Sequence, residues 1–130
     1  MTDTIADMLT RIRNAIMRQR ESVEIPRSNV KKEIVNLLER EGFIRGHKEI
    51  EDKKQGVLKV YLKYGPQKEA VINGLSRGSK PGRRIYKKAE EMRPVLGGIG
   101  VAVYSTNKGI LSGKECKKAG VGGEFLCKVW

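Results

Sequence analysis

His47 is the single histidine of this 130-residue chain, and no nucleophile stands beside it. It offers no base for nucleophilic catalysis. With only Cys116 and Cys127 to join it, it makes no zinc ligand set. Glu90 and Glu91 are adjacent, so a helix would point them in different directions, which suits a solvated face better than an acid/base pair. The glycine-rich run Gly97-Gly98-Ile99-Gly100 precedes a strand pattern and not a helix, the wrong context for a dinucleotide site. These residues lead us to expect no catalytic residue, no metal site, no cofactor and no small-molecule substrate.

Three other clusters have the chemistry of RNA recognition. In the first, Ser79-Lys80-Pro81-Gly82-Arg83-Arg84-Ile85-Tyr86-Lys87-Lys88, a Pro-Gly turn is surrounded by cations and followed by a flat ring. Cations pair with phosphates and a tyrosine stacks on bases. In the second, Ser105-Thr106-Asn107-Lys108-Gly109, three short polar side chains follow an apolar strand. They can present donors and acceptors to the shallow minor groove of RNA and its 2′-hydroxyls. An ordinary polar turn would have the same composition. In the third, Gly120-Val121-Gly122-Gly123-Glu124, the paired glycines allow close backbone approach and dihedrals that other residues avoid. Glu124 can accept hydrogen bonds from a base or orient the polar turn from behind.

The charge agrees with a polyanionic partner. Lys and Arg total 27 against 15 Asp and Glu, a net +12. Residues 66–130 hold 13 basic and 5 acidic side chains; residues 1–65 hold 14 and 10. The second half is therefore expected to be the main polyanion-binding half. No stretch approaches the ~18 to 20 apolar residues of a membrane span, and the N-terminus lacks an apolar signal core. We expect a cytoplasmic protein with no membrane partner. Both cysteines read as small apolar residues in a reducing compartment.

The elements that must hold these clusters can be read coarsely. Ile5, Met8, Leu9, Ile12 and Ile16 form one helical stripe, capped by Asp3 or Thr4. Arg11, Asn14 and Arg18 share another face, either solvated or a phosphate-facing ridge. A short strand at 22–26 stops at Pro26. Ser28 or Asn29 caps a second helix with Val30, Ile34, Leu37 and Leu38 as its stripe, and Gly42 lies just beyond its end. Strands are predicted at 43–50 and 56–64. Past Gly65-Pro66 the texture changes, and 11 of the 15 glycines follow. β-prone pieces are predicted at 70–75, 84–86, 99–104 and 124–129, with a small helical turn near 89–92. One helix has a Ser112/Glu115 capping box and ends at Gly120. The expected class is α/β (α+β), with an N-terminal α-β-α-β-β unit over 1–65 and a mostly β unit over 66–130.

The run STNKGILSGKECKKAGVGGEFLCKVW closely resembles the C-terminus of the bacterial ribosomal protein S-eight family, the eighth protein of the small subunit. TDTIADMLTRIRNAI resembles that family's opening, and IPRSNVKKEIVNLLEREGFI and SKPGRRIYKK its middle. The resemblance implies a two-unit α/β fold. It also implies direct binding to an irregular hairpin in the central domain of 16S rRNA, assembly of the 30S subunit, and neighbouring small-subunit proteins as partners. By the resemblance, Ser105, Thr106 and Asn107 enter a minor groove, and Tyr86 with Gly122, Gly123 and Glu124 completes the surface. Lys108, Arg84, Arg11 and Asn14 then contact the RNA backbone. The resemblance further implies a possible second RNA partner, the messenger RNA of the chain's own operon, for translational autoregulation. Two positions depart from the family pattern: Asn107 where serine is usual and Arg83 where leucine is usual.

Overall fold

The computed structural model describes residues 3–130. Helix α1 spans Thr4–Met17. Asp3 caps it, accepting from the Ala6 N–H at 3.1 Å. The stripe predicted from spacing is its inner face: Met8, Leu9 and Ile12 are buried, with Ala15 beside them.

Two compact units divide the described residues, one over Asp7–Asn73 and one over Gly74–Trp130 together with residues 3–6. The expected division at Gly65-Pro66 falls inside a turn. Its Gly65 N–H donates to the Glu69 carbonyl, and Val71 N–H donates back to Lys63. These bonds hold residues 66–71 to the strand before them, and composition alone does not reveal such pairings.

In the first unit, β1 (Ser22–Pro26), β2 (Ile44–Ile50) and β3 (Val57–Leu62) form an antiparallel sheet in the order β1-β3-β2. Ile25, Leu58, Val60 and Leu62 are buried, while β3 alternates with half-buried Val57, Lys59 and Tyr61. That alternation marks a sheet with one covered face. Helix α2 (Asn29–Arg40) begins at Ser28, whose hydroxyl accepts from the Lys31 N–H. Gly42, at φ +81, lies just past its end, a backbone angle suited to glycine. Its buried face is Lys31, Ile34, Val35, Leu37 and Leu38. Val30, placed on the stripe by spacing, is 41% exposed instead. Lys31 takes the inner position because its long stem can lie along apolar surface. Burial pushes its ammonium pKa down against the opposing pull of Asp7.

In the second unit, β8 (Gly123–Val129) is central. It pairs antiparallel with β4 (Leu75–Arg77), β5 (Tyr86–Lys87) and β6 (Val101–Thr106). Strand β7 (Gly109–Ser112) completes the sheet beside β6; spacing did not predict it. The 70–75 and 99–104 segments pair two to five residues later than expected. Short 3₁₀ turns lie at Ala89–Glu91 and Val95–Gly98. Helix α3 (Gly113–Ala119) has the reciprocal Ser112/Glu115 cap, and Gly120 closes it at φ +69. Met92, Ala102, Tyr104 and Cys116 pack together, flanked by Val95, Leu111, Val121 and Phe125. Both cysteines are free and buried. Burial pushes the Cys127 thiol up to about 12. The chain thus has an α+β fold of helices and two antiparallel sheets. No helix among the described residues is long and apolar enough to cross a membrane.

Candidate nucleic-acid interface

The polar cluster predicted as a turn is mostly strand. Ser105 pairs with Ile110 and Thr106 with Gly109, so only Asn107 and Lys108 form the turn of the β6–β7 hairpin. Thr106 locks it: its Oγ1 donates to the Gly109 carbonyl at 2.8 Å and accepts from the Lys108 N–H at 3.0 Å. Gly109, at φ +103, supplies the one dihedral the reversal demands. Asn107 and Lys108 project exposed from the tip, and Ser105 is half-buried. Spacing missed β7 because Ile110 and Leu111 are too short a run to signal a strand without the partner they pair with.

Behind this tip stands the start of β8. A Cβ on Gly123 would lie 2.6 Å from the Ser105 carbonyl oxygen and 2.8 Å from Thr106 Cγ2. One on Gly122 would lie 2.7 Å from the Lys87 carbonyl oxygen. Real Cβ atoms do not come so close, so both positions need glycine for approach. Neither has a positive φ. The predicted close contact is therefore present, but the unusual dihedral belongs to Gly120.

Tyr86 is brought alongside by β5, opposite Glu124 in the ladder. Tyr86 is 71% exposed. The basic turn before it is anchored by Ser79, which is fully buried. The Ser79 hydroxyl accepts from the Ile85 N–H at 2.8 Å and donates to the Ile85 carbonyl at 3.2 Å. In the sequence Ser79 is only the start of the basic run; nothing local marks a serine as buried. Glu124 does not stand free. Arg84 Nη1 lies 2.9 Å from its Oε2. The carboxylate holds that guanidinium still more firmly protonated than usual. Arg84 is thus both a rim cation and the group that orients Glu124.

Together these elements line one cleft of about 740 Å³. Its walls include Tyr86, Ser105, Thr106, Asn107, Gly122, Gly123 and Glu124. Lys87 and Lys88 also line it, two cations that the expected site did not include although they lie in the basic run. Arg83 is exposed and its backbone bridges Lys80, so this departure from the family pattern faces water. Arg11 and Asn14 are exposed on α1 in the other unit, where Arg11 pairs with Asp7 at 2.9 Å. Among the described residues no group of His, Cys, Asp or Glu could hold a metal ion. Chemically the cleft sets a stacking ring and a few neutral donors and acceptors among the cations Lys87 and Lys88 and the carboxylates Glu90, Glu91 and Glu124.

The family model described as Ribosomal protein S8 matches residues 3–130. A small ribosomal subunit protein uS8 of Caldanaerobacter subterraneus is 58% identical over 130 residues, covering all of this chain and 98% of that one. A protein of the same name from Moorella thermoacetica is 58% identical with full coverage of both chains. One from Geobacillus kaustophilus is 57% identical with 98% of its length covered.

Proposed function

The chain belongs to the ribosomal protein S8 family, and from that premise we propose that it is a structural, RNA-binding protein of the small ribosomal subunit. It binds an irregular hairpin in the central domain of 16S rRNA and helps the 30S subunit assemble in the cytoplasm. Neighbouring small-subunit proteins contact it there. The observation that carries this reading is Tyr86, 71% exposed, beside the hairpin tip at Ser105–Lys108 and the glycine-backed start of β8.

Binding has two layers. Arg83, Arg84, Lys87, Lys88 and Lys108 attract phosphates by releasing counterions, a term blind to sequence. The specific layer is shape. A base stacks on Tyr86 while Ser105 and Asn107 exchange hydrogen bonds with 2′-hydroxyls and base edges. Glu124, held by Arg84, accepts from a base amino group. Thr106 acts chiefly through the hairpin, because its hydroxyl proton is already given to Gly109. Arg11 and Asn14 add backbone contacts from the first unit. No catalytic step is involved. A messenger RNA of the chain's own operon that copied the hairpin's shape would fit the same cleft and permit autoregulation.

The test is competition. The purified protein is bound to the folded 16S hairpin at moderate salt and challenged with bulk transcript. Persistent preference for the hairpin supports the reading. Equal displacement by any RNA of the same length would reduce the cleft to a nonspecific polyanion site.

A further inference from the structure

The uncovered face of the three-stranded sheet is the second place where rings and cations meet. Directly opposed residues of an antiparallel ladder project to the same face. Glu24, Lys59 and Lys48 therefore form one row across β1, β3 and β2. Tyr61 heads the neighbouring position on β3, opposite Ser22. Arg45 Cζ lies 5.5 Å from the Tyr61 ring centroid and Lys59 Nζ lies 5.7 Å from it. The other end of the face is apolar, with Pro26, Val57 and the 36%-exposed Ile50.

Lys48 and Lys59 stand directly opposite each other, an arrangement that costs stability in the free protein. Glu24 flanks Lys59 on the other side but forms no ion pair with it among the described residues. Two cations thus lie over one ring, a third, Lys48, stands opposite one of them, and the carboxylate Glu24 completes the row. Cations of this kind bind phosphates, and rings and guanidinium planes bind unpaired bases. A sheet face that presents a ring beside cations is a platform on which unpaired bases stack.

We infer that this face of the first unit binds single-stranded RNA, with Lys48 and Lys59 on phosphates and Tyr61 with Arg45 on a base. The choice of RNA over another polyanion rests on the proposed function. The stacking and charge geometry does not.

The full-length chain is titrated with fluorescent oligouridine, and its affinity for the folded 16S hairpin is measured separately. Each variant is also read in a Tyr86→Ala background, which removes the ring of the C-terminal cleft. K48Q/K59Q should weaken oligouridine about tenfold and flatten the log–log salt dependence by about 1.4, from roughly 0.7 per phosphate on single strands. Its thermal midpoint should stay level or rise, because a like-charge pair has gone. Tyr61→Leu should weaken oligouridine roughly fivefold or more. Hairpin affinity should change by less than about twofold in both, since none of these side chains lines the cleft. Undiminished oligouridine binding by K48Q/K59Q overturns the inference. So does displacement of oligouridine by polyglutamate at equal charge, or a preference for duplex over single strand. A loss that tracks a lowered thermal midpoint would make the residues structural and overturn it too. If the hairpin competition fails while the oligouridine arm behaves as stated, the cleft reading falls and this one stands.

Discussion

The three-stranded sheet offers long-stemmed cations beside one half-buried ring. The C-terminal cleft instead sets one exposed ring among short polar groups on pinned backbone. Lys48, Lys59 and Arg45 have long stems with many rotamers to restrict, so their charge is costlier to fix in place than a short polar group. Ser105, Thr106 and Asn107 have few rotamers, and their strand is locked against β7 and β8. The difference separates affinity from specificity. Charge on flexible arms attracts any strand. Recognition of one shape requires donors whose positions are set before the RNA arrives.

The sharpest way to break the comparison is to spoil the pinned backbone. Gly123→Ala places a methyl against the Ser105 carbonyl, so β6 and β8 must part. Overpacking of that kind costs about 1 to 3 kcal/mol, measurable by denaturant unfolding, and hairpin discrimination should vanish with it. Gly82→Ala is the control: nothing lies within 4 Å of its Cβ position, and stability should stay within about 0.5 kcal/mol. Next comes Tyr86→Ala. The ring is exposed, so unfolding should barely change, while the hairpin should lose ~1 to 3 kcal/mol of binding and random RNA much less. Equal loss on both RNAs would mean that the ring supplies no specificity. Thr106→Ala should cost about 1 kcal/mol of stability through its two hairpin hydrogen bonds, and hairpin binding should fall alongside. Full retention of both would show that the turn holds without the hydroxyl.

Arg84→Ala should flatten the salt dependence by about one unit on hairpin and bulk RNA alike. An unchanged slope would leave Arg84 only its role on Glu124. The smallest effect concerns the anchor beneath the C-terminal sheet. Asp3 pairs with Arg77 at 3.1 Å, and Arg77 also donates to the Leu126 carbonyl. Burial pushes the Asp3 carboxyl up, but the Ala6 N–H and the Arg77 guanidinium outweigh it and hold the carboxyl below its usual range. A depressed folded pKa stabilises above the unfolded value near 4 and is lost as pH falls through the folded one. Asp3→Asn should therefore remove part of the stability decline seen by thermal unfolding below about pH 5. An identical acid limb in the variant would assign that decline to other carboxylates.

The helices were legible because their cues are local. The Asp3 and Ser28 caps, the Ser112/Glu115 box and the terminal Gly42 and Gly120 each act within a few residues, and each is found in place. Chemistry at the cleft was legible as composition: rings, cations and hydroxyls occur in three short runs. Val30 and Lys31 exchanged roles because helix rotation is set by what the helix packs against. Strand β7 was invisible because a strand of four residues exists only through its partner.

From the chain order alone came the α+β class, the charge imbalance, the capped helices and the three clusters that bear RNA chemistry. Tertiary structure alone decided that Gly122 and Gly123 are needed for clearance, that Ser79 anchors the Tyr86 strand, that Arg84 holds Glu124, and that Lys48 faces Lys59. The reason is physical. A cap or a turn is an energy between near neighbours in sequence. Clearance, anchoring and cross-strand opposition join residues tens of positions apart, and their sign is fixed only when the ladder register brings them face to face.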